Sequence, residues 1–232
     1  MVFAMSLALI TVLNGMTEEQ LDLLERGGVR LEPRDGATVF SQGDAADSVY
    51  AVIGGDGHIR ICATDRNSKA LMVEIFGAGE IFGEIGVIDG GTRTTAAVVE
   101  GRVQLVKIRD QAFMAALRTC PNLGVALCRM MAKRLRRTYE LYQDATFETL
   151  QVRLARQVLY LAAGNSRPTQ EGLRLVHRFR QTDLADLLGT TTRSIITILN
   201  NWRAAGLVIY DTDRALLTVR DLPALQAIAD GD

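Results

Sequence analysis

Residues 79 to 97 read Gly-Glu-Ile-Phe-Gly-Glu-Ile-Gly-Val-Ile-Asp-Gly-Gly-Thr-Arg-Thr-Thr-Ala-Ala, and this stretch constrains the chain more than any other. Gly79, Gly83 and Gly86 punctuate an apolar run, so the backbone can turn tightly and present its N–H groups. Glu84 stands between Gly83 and Ile85, in a stretch too apolar to be a solvated face. Arg93 opens a segment that reads as a strand with a charge at its mouth. Bare amides plus a planar guanidinium make an anion site suited to phosphate. A carboxylate beside it would repel that phosphate unless it accepts hydrogen bonds from hydroxyls on the same ligand. The alternative is a glycine-rich hairpin with a surface Arg and a surface Glu.

Around this stretch the chain alternates short β-rich runs with turns. The runs are 38–40, 48–53, 58–62, 71–76, 95–99 and 103–108, and they predict an antiparallel roll or sandwich. Thr17-Glu-Glu-Gln20 is a capping box opening a short helix that Gly27-Gly28 stops. Asp110 is read as the N-cap of a helix over 111–119. Pro121 then begins a long helix running to about Thr146. Cys128, Met131, Leu135, Thr138, Tyr142 and Ala145 alternate three and four apart, a seam that either meets a second copy or lies on the chain's own β domain. A further helix covers 150–164, and 165–172 reads as a polar loop. Gln181 to Trp202 has helix–turn–helix form around Gly189, with Thr191 or Thr192 capping the second helix. A hairpin over 206–219 completes a winged helix. Thr182, Thr191, Thr192, Arg193, Ser194 and Thr197 are its candidate DNA contacts, Arg193 suiting a guanine edge.

Net charge is −1, so DNA binding rests on a local patch, read as Arg174, His177, Arg178, Arg180, Arg193 and Arg203. The three cysteines are not in C-x-x-C spacing, which argues against a disulfide framework, a zinc site or an iron–sulfur cluster and fits a cytoplasmic protein. The apolar start from Val2 to Leu13 has no basic flank and is too short to cross a bilayer. It is read as an element packed on the first domain, with no membrane partner.

Gly83-Glu84-Ile85 followed by Arg93-Thr94 resembles the phosphate-binding cassette of cyclic-nucleotide-binding domains. The likeness runs from about Glu19 to the C-terminus and is closest to bacterial transcription factors of the cAMP receptor protein and fumarate-nitrate regulator family. It implies an α+β architecture of sensor roll (1–120), dimerisation helix and hinge (121–148) and winged helix–turn–helix (149–232). It also implies cAMP or cGMP as allosteric ligand, no metal and no enzyme activity. The expected partners are a second copy, a palindromic double-stranded operator and RNA polymerase. By match, Gly83, Glu84, Ile85, Arg93 and Thr94 hold the cyclic phosphate and ribose. Thr138, within Met131-Ala-Lys-Arg-Leu-Arg-Arg-Thr138, contacts the base. Val73 and Phe76 either contact the base or are ordinary core. Tyr139 stands where cAMP-selective members carry Ser, which leaves adenine against guanine open. Thr192, Arg193 and Thr197 depart from the usual reading-helix pattern, so the operator should differ too. The alternative is the same architecture answering haem or redox state, or carrying a vestigial pocket.

Overall fold

The computed structural model describes residues 7–64, 70–164 and 166–231; the first residues of the apolar start and Asn165 of the expected loop lie outside them. Contacts divide the chain into two units, Met1–Arg136 and Arg137–Asp232. The division falls inside the long helix, whereas the sequence placed its boundaries at 120 and 148.

The first unit runs α1 (Glu18–Arg26), β1 (Gly28–Leu31), β2 (Thr38–Phe40), β3 (Ser48–Gly55), β4 (His58–Thr64), β5 (Ala70–Phe76), β6 (Ile81–Phe82), α2 (Glu84–Asp89), β7 (Ala96–Glu100), β8 (Val103–Arg109), α3 (Asp110–Thr119) and the start of α4 (Pro121–Phe147). Two four-stranded sheets form, ordered β1-β8-β3-β6 and β2-β7-β4-β5, and the pairings are antiparallel. Strand alternation makes two cores from one sheet. Tyr50, Val52 and Leu105 join Ile59, Phe76, Ala97 and Val99 of the other sheet. Their neighbours Val49, Ala51, Val106 and Ile108 pack against α1, α3 and α4.

From Leu7 onward the apolar start belongs to this second core. Leu7, Ile10 and Leu13 are fully buried there, and the Thr11 N–H donates to the Gly79 carbonyl at 3.0 Å. A pair of 3₁₀ turns therefore braces the entry to the 79–97 stretch. The capping box at Thr17 forms as expected. Arg109, not Asp110, is the N-cap of α3. The stretch expected as a glycine-rich turn contains a six-residue helix, α2. Its lack of length and its internal glycine hide it from any periodicity.

In α4, Leu123 and Leu127 are buried on the first unit, with Met130 and Met131 packed beside them. Val125, Cys128, Ala132, Leu135, Tyr139, Tyr142 and Thr146 are all exposed and follow one another three and four apart. Leu135 is 52%, Tyr139 60% and Tyr142 73% exposed. Of the expected seam, Cys128, Leu135, Thr138, Tyr142 and Ala145 are exposed, whereas Met131 is half-buried against the first unit's core.

The second unit holds the rest of α4, α5 (Leu150–Gly164), β9 (Ser166–Thr169), β10 (Gly172–Leu175), α6 (Gln181–Leu188), α7 (Thr192–Ala204), β11 (Val208–Asp211), β12 (Leu216–Val219) and α8 (Leu222–Asp230). Its sheet is ordered β11-β12-β10-β9. The segment expected as a polar loop supplies β9, an edge strand, where Pro168 is tolerated. Asp221 caps α8 by accepting the Ala224 N–H at 2.9 Å.

Replacing Leu13 with Ala should cost about 2–5 kcal/mol of stability in urea titrations. Leu9→Ala, at a position 64% exposed, should change it by under about 0.5 kcal/mol. Equal effects would remove the N-terminal turns from the core.

Candidate functional site: a guanidinium cage and a winged helix

Gly83 sits at φ 78°, ψ 11°, the left-handed turn from which α2 departs. A Cβ there would lie 2.8 Å from Arg93 Nη1 and 3.2 Å from the Phe40 ring. Gly86 is as constrained, since a Cβ would fall 2.6 Å from that of Ala46. The first N–H groups of α2 have no acceptor within the helix itself.

Arg93 stands three residues ahead of β7, and it is buried rather than on the surface. It is 3% exposed, and its guanidinium donates to the Gly83 carbonyl (2.5 Å), the Ser48 carbonyl (2.8 Å) and Ser48 Oγ (3.1 Å). Its charge lies 4.3 Å from the centre of the Phe40 ring. Burial lowers its pKa, opposed by Tyr50, Asp47, Asp44 and Glu84. Behind it, Ser48 Oγ donates to Asp47 (2.7 Å), which also accepts from Lys107 (3.0 Å). The Ser48 hydrogen bond is the main reason the Asp47 carboxyl lies below its usual range.

Glu84 is 1% exposed. One carboxylate oxygen accepts from Arg134 Nη1 at 2.7 Å, and Arg134 also donates to the Ile81 carbonyl at 2.7 Å. Arg134 lies 4.3 Å over the Phe76 ring. Phe40, Phe82 and Phe76 run between the two arginines with centroids 5.9 and 6.1 Å apart. Each end of that aromatic row thus carries a guanidinium. Within this cage, two buried polar atoms are left without a hydrogen-bond partner, Oε2 of Glu84 and Nε of Arg93.

The structure therefore gathers Gly83, Glu84 and Arg93 in one place. Phe76 is buried beneath Arg134, Ile85 and Thr94 are exposed within the cassette, and Val73 is exposed on β5. Thr138 is exposed on α4, four residues after Arg134. Sequence reasoning did not single out Arg134. Its i, i+4 spacing to Thr138 was the available signal.

In the second unit, Gly189 adopts φ 60°, ψ 37° and ends α6. Thr191, rather than Thr192, caps α7, its hydroxyl accepting the Ser194 N–H at 3.2 Å. Ile195, Leu199 and Trp202 face inward, whereas Ile198 is only half-buried. Arg193 and Thr197 are exposed on the opposite side, and Thr182 is exposed in the first turn of α6. The Thr197 hydroxyl donates to the Arg193 carbonyl at 3.0 Å. The expected basic face is narrower than read. His177 is 8% exposed and belongs to the interior, and Arg174 is tied to Glu171 at 2.7 Å and to Thr218. Arg178, Arg180, Arg193 and Arg203 remain exposed. Tyr210 Oη donates to the Phe179 carbonyl at 2.9 Å, holding the β11–β12 wing against the entry to α6.

Residues 30–120 match the cyclic nucleotide-binding domain family, and residues 152–228 match the Crp-like helix-turn-helix domain family. A CRP-like cAMP-activated global transcriptional regulator of Mycobacterium tuberculosis is 31% identical over 82% of this chain and 85% of its own length. A cyclic AMP receptor protein of Thermus thermophilus is 28% identical over 94% and 96%. The c-di-GMP responsive global regulator CLP of Xanthomonas campestris has a similar fold, with a TM-score of 0.75 over 88% of this chain and all of its own, at 22% identity. A cyclic-nucleotide-binding domain joined to a winged helix–turn–helix defines a class of transcription regulators. This chain belongs to the CRP family of that class.

Gly83→Ala should destabilise the protein by about 1–3 kcal/mol, because the left-handed backbone and the Arg93 contact both resist a methyl group. An unchanged urea midpoint would mean that neither constraint operates.

Proposed function

We propose that the protein is a homodimeric, cyclic-nucleotide-gated transcription regulator that binds a palindromic operator when cAMP or cGMP occupies the cage around Gly83. The observation that carries this reading is the pair of unpartnered buried atoms, one acceptor and one donor. Buried polar groups are normally satisfied, and each orphan costs about 1–3 kcal/mol. Oε2 of Glu84 and Nε of Arg93 are each within one residue or one hydrogen bond of Gly83. A ribose hydroxyl would satisfy the first and a phosphate oxygen the second. Ile85 and Thr94 would add backbone and hydroxyl donors, Arg134 would orient Glu84, and Val73 and Phe76 would offer apolar contact. Thr138 is the proposed contact to the base.

The family name of a relative supports cAMP, but the fold does not choose the ligand, since the similar Xanthomonas regulator is described as c-di-GMP responsive. The exposed α4 stripe supports a second copy as partner. A two-fold dimer would present two α7 helices, with Arg193 reading a base edge, Thr197, Thr192 and Ser194 beside it, and Thr182 and Thr191 on phosphates. No helix among the described residues is long and apolar enough to cross a membrane. The free cysteines suit a cytoplasmic setting, with RNA polymerase as the further partner such a regulator would engage.

Calorimetric titration with cAMP and cGMP should show saturable binding of one in preference to the other. Arg93→Lys keeps the charge but loses the planar fork, and should weaken that binding at least about tenfold. Because Arg93 also holds two backbone carbonyls, it should lower stability by about 1–3 kcal/mol as well. Full affinity in the folded variant would reject the cage as the nucleotide site.

Arg193→Ala should relax the base preference at one position per half-site by about 1–3 kcal/mol in a binding-site selection. A selected site identical to the parent's would remove Arg193 from base readout.

A further inference from the structure

Helix α4 ends at Phe147 and α5 begins at Leu150, so only Glu148 and Thr149 join them. Phe147 is 81% exposed. The Arg156 side chain spans the break. Arg156 lies on α5 and uses every edge of its guanidinium. Nη1 donates to Asp144 Oδ1 at 2.5 Å, in the last turn of α4. Nη2 meets Glu148 Oε1 at 3.0 Å, in the linkage itself. Nε donates to the Ala229 carbonyl at 2.7 Å, near the end of α8. Asp144 is 9% exposed, so its charge needs this partner.

Neighbouring positions on the same side of α5 repeat the arrangement. Arg137 of α4 donates to Gln157 at 2.5 Å and lies 4.0 Å over the Tyr160 ring. Arg153 donates to the Leu188 carbonyl at 2.6 Å, one residue before the turn glycine of the helix–turn–helix. Positions 153, 156, 157 and 160 follow i, i+3, i+4, i+7 spacing and share one helical face. That face meets α4, the end of α8 and the end of α6. The contact-based division after Arg136 agrees, because it assigns the last turns of α4 to the second unit.

We infer that Arg156 is a positioning residue for DNA reading: it clamps the end of α4, the α4–α5 linkage and the C-terminal helix α8 into one body that carries α6 and α7. Without it, Asp144 and Glu148 face each other as like charges, and the linkage becomes a free joint. A lysine supplies one point charge and cannot reach three acceptors in a plane. The inference rests on the reading of α7 as the operator-binding helix.

The test uses the full-length protein and its Arg156→Gln, Arg156→Lys and Asp144→Asn variants. Native-state chymotrypsin cleavage after Phe147 reports opening of the linkage. Fluorescence anisotropy reports affinity for a selected operator and for random DNA, with and without saturating cAMP and cGMP. Arg156→Gln should be cleaved at least about tenfold faster and bind the operator at least about fivefold more weakly, with random-DNA affinity within about twofold of the parent. Arg156→Lys should fall between the two. Asp144→Asn should add nothing to Arg156→Gln in the double variant, and it carries the test if Arg156→Gln does not fold. Cleavage at the parental rate overturns the clamp. Faster cleavage with unchanged operator affinity overturns its positioning role. A parent whose operator affinity ignores both nucleotides would instead refute nucleotide gating. A parent that prefers no DNA sequence would refute the reading role of α7, and with it the positioning role of Arg156.

Discussion

The first unit depends on burying one guanidinium. Arg93 is drawn under α2 by the carbonyls of Gly83, just after β6, and of Ser48, at the start of the paired strand β3, so a single side chain ties the cassette to β3. A permanent cation can be held there because the surroundings answer it on several sides. Aromatic faces lie across it, carbonyl oxygens accept from it, and Asp47 stands 3.6 Å away on the outer side. Gly83 is the consequence: where the guanidinium passes, no side chain fits.

Glu84 poses the opposite problem, a carboxylate with almost no access to water. Arg134 answers it from α4, and the pair lies within the first unit. Buried ion pairs of this kind add little net stability, yet removing one partner alone is costly. Their value lies in fixing direction. One Glu84 oxygen accepts from Arg134, and the other has no hydrogen-bond partner in the protein. The cage is thus set up as two charges of opposite sign, each partly committed to protein and each keeping one atom in reserve.

Helix α4 belongs to both units, and its chemistry changes along its length. Its first turns are anchored by Leu123 and Leu127 in an apolar core, and its last turns by Arg137 and Asp144 through polar contacts. A continuous exposed apolar stripe runs past both. Apolar packing holds without much direction, whereas charge-assisted bonds hold only in a specified geometry. The end that carries the DNA-reading helices is the end fixed by direction.

Much of this was legible in the linear chain. Strand alternation, the capping box at Thr17, the proline opening α4 and the helix–turn–helix around Gly189 are local signals, and local sterics and hydrogen bonding decide them. The resemblance in the cassette identified Gly83, Glu84 and Arg93 together. What the chain order could not reveal is who meets whom across long separations. Arg134 reaches Glu84 from fifty positions away. His177 looks like part of a basic face and is interior, Met131 leaves the expected seam for the core, and α2 is too short and glycine-rich to show a period. Sequence fixes which residues can turn, cap, alternate or carry charge, because those properties depend on near neighbours. Burial and the pairing of buried charges are set only when distant segments close around them, since desolvation is a property of the assembled surroundings and not of the residue.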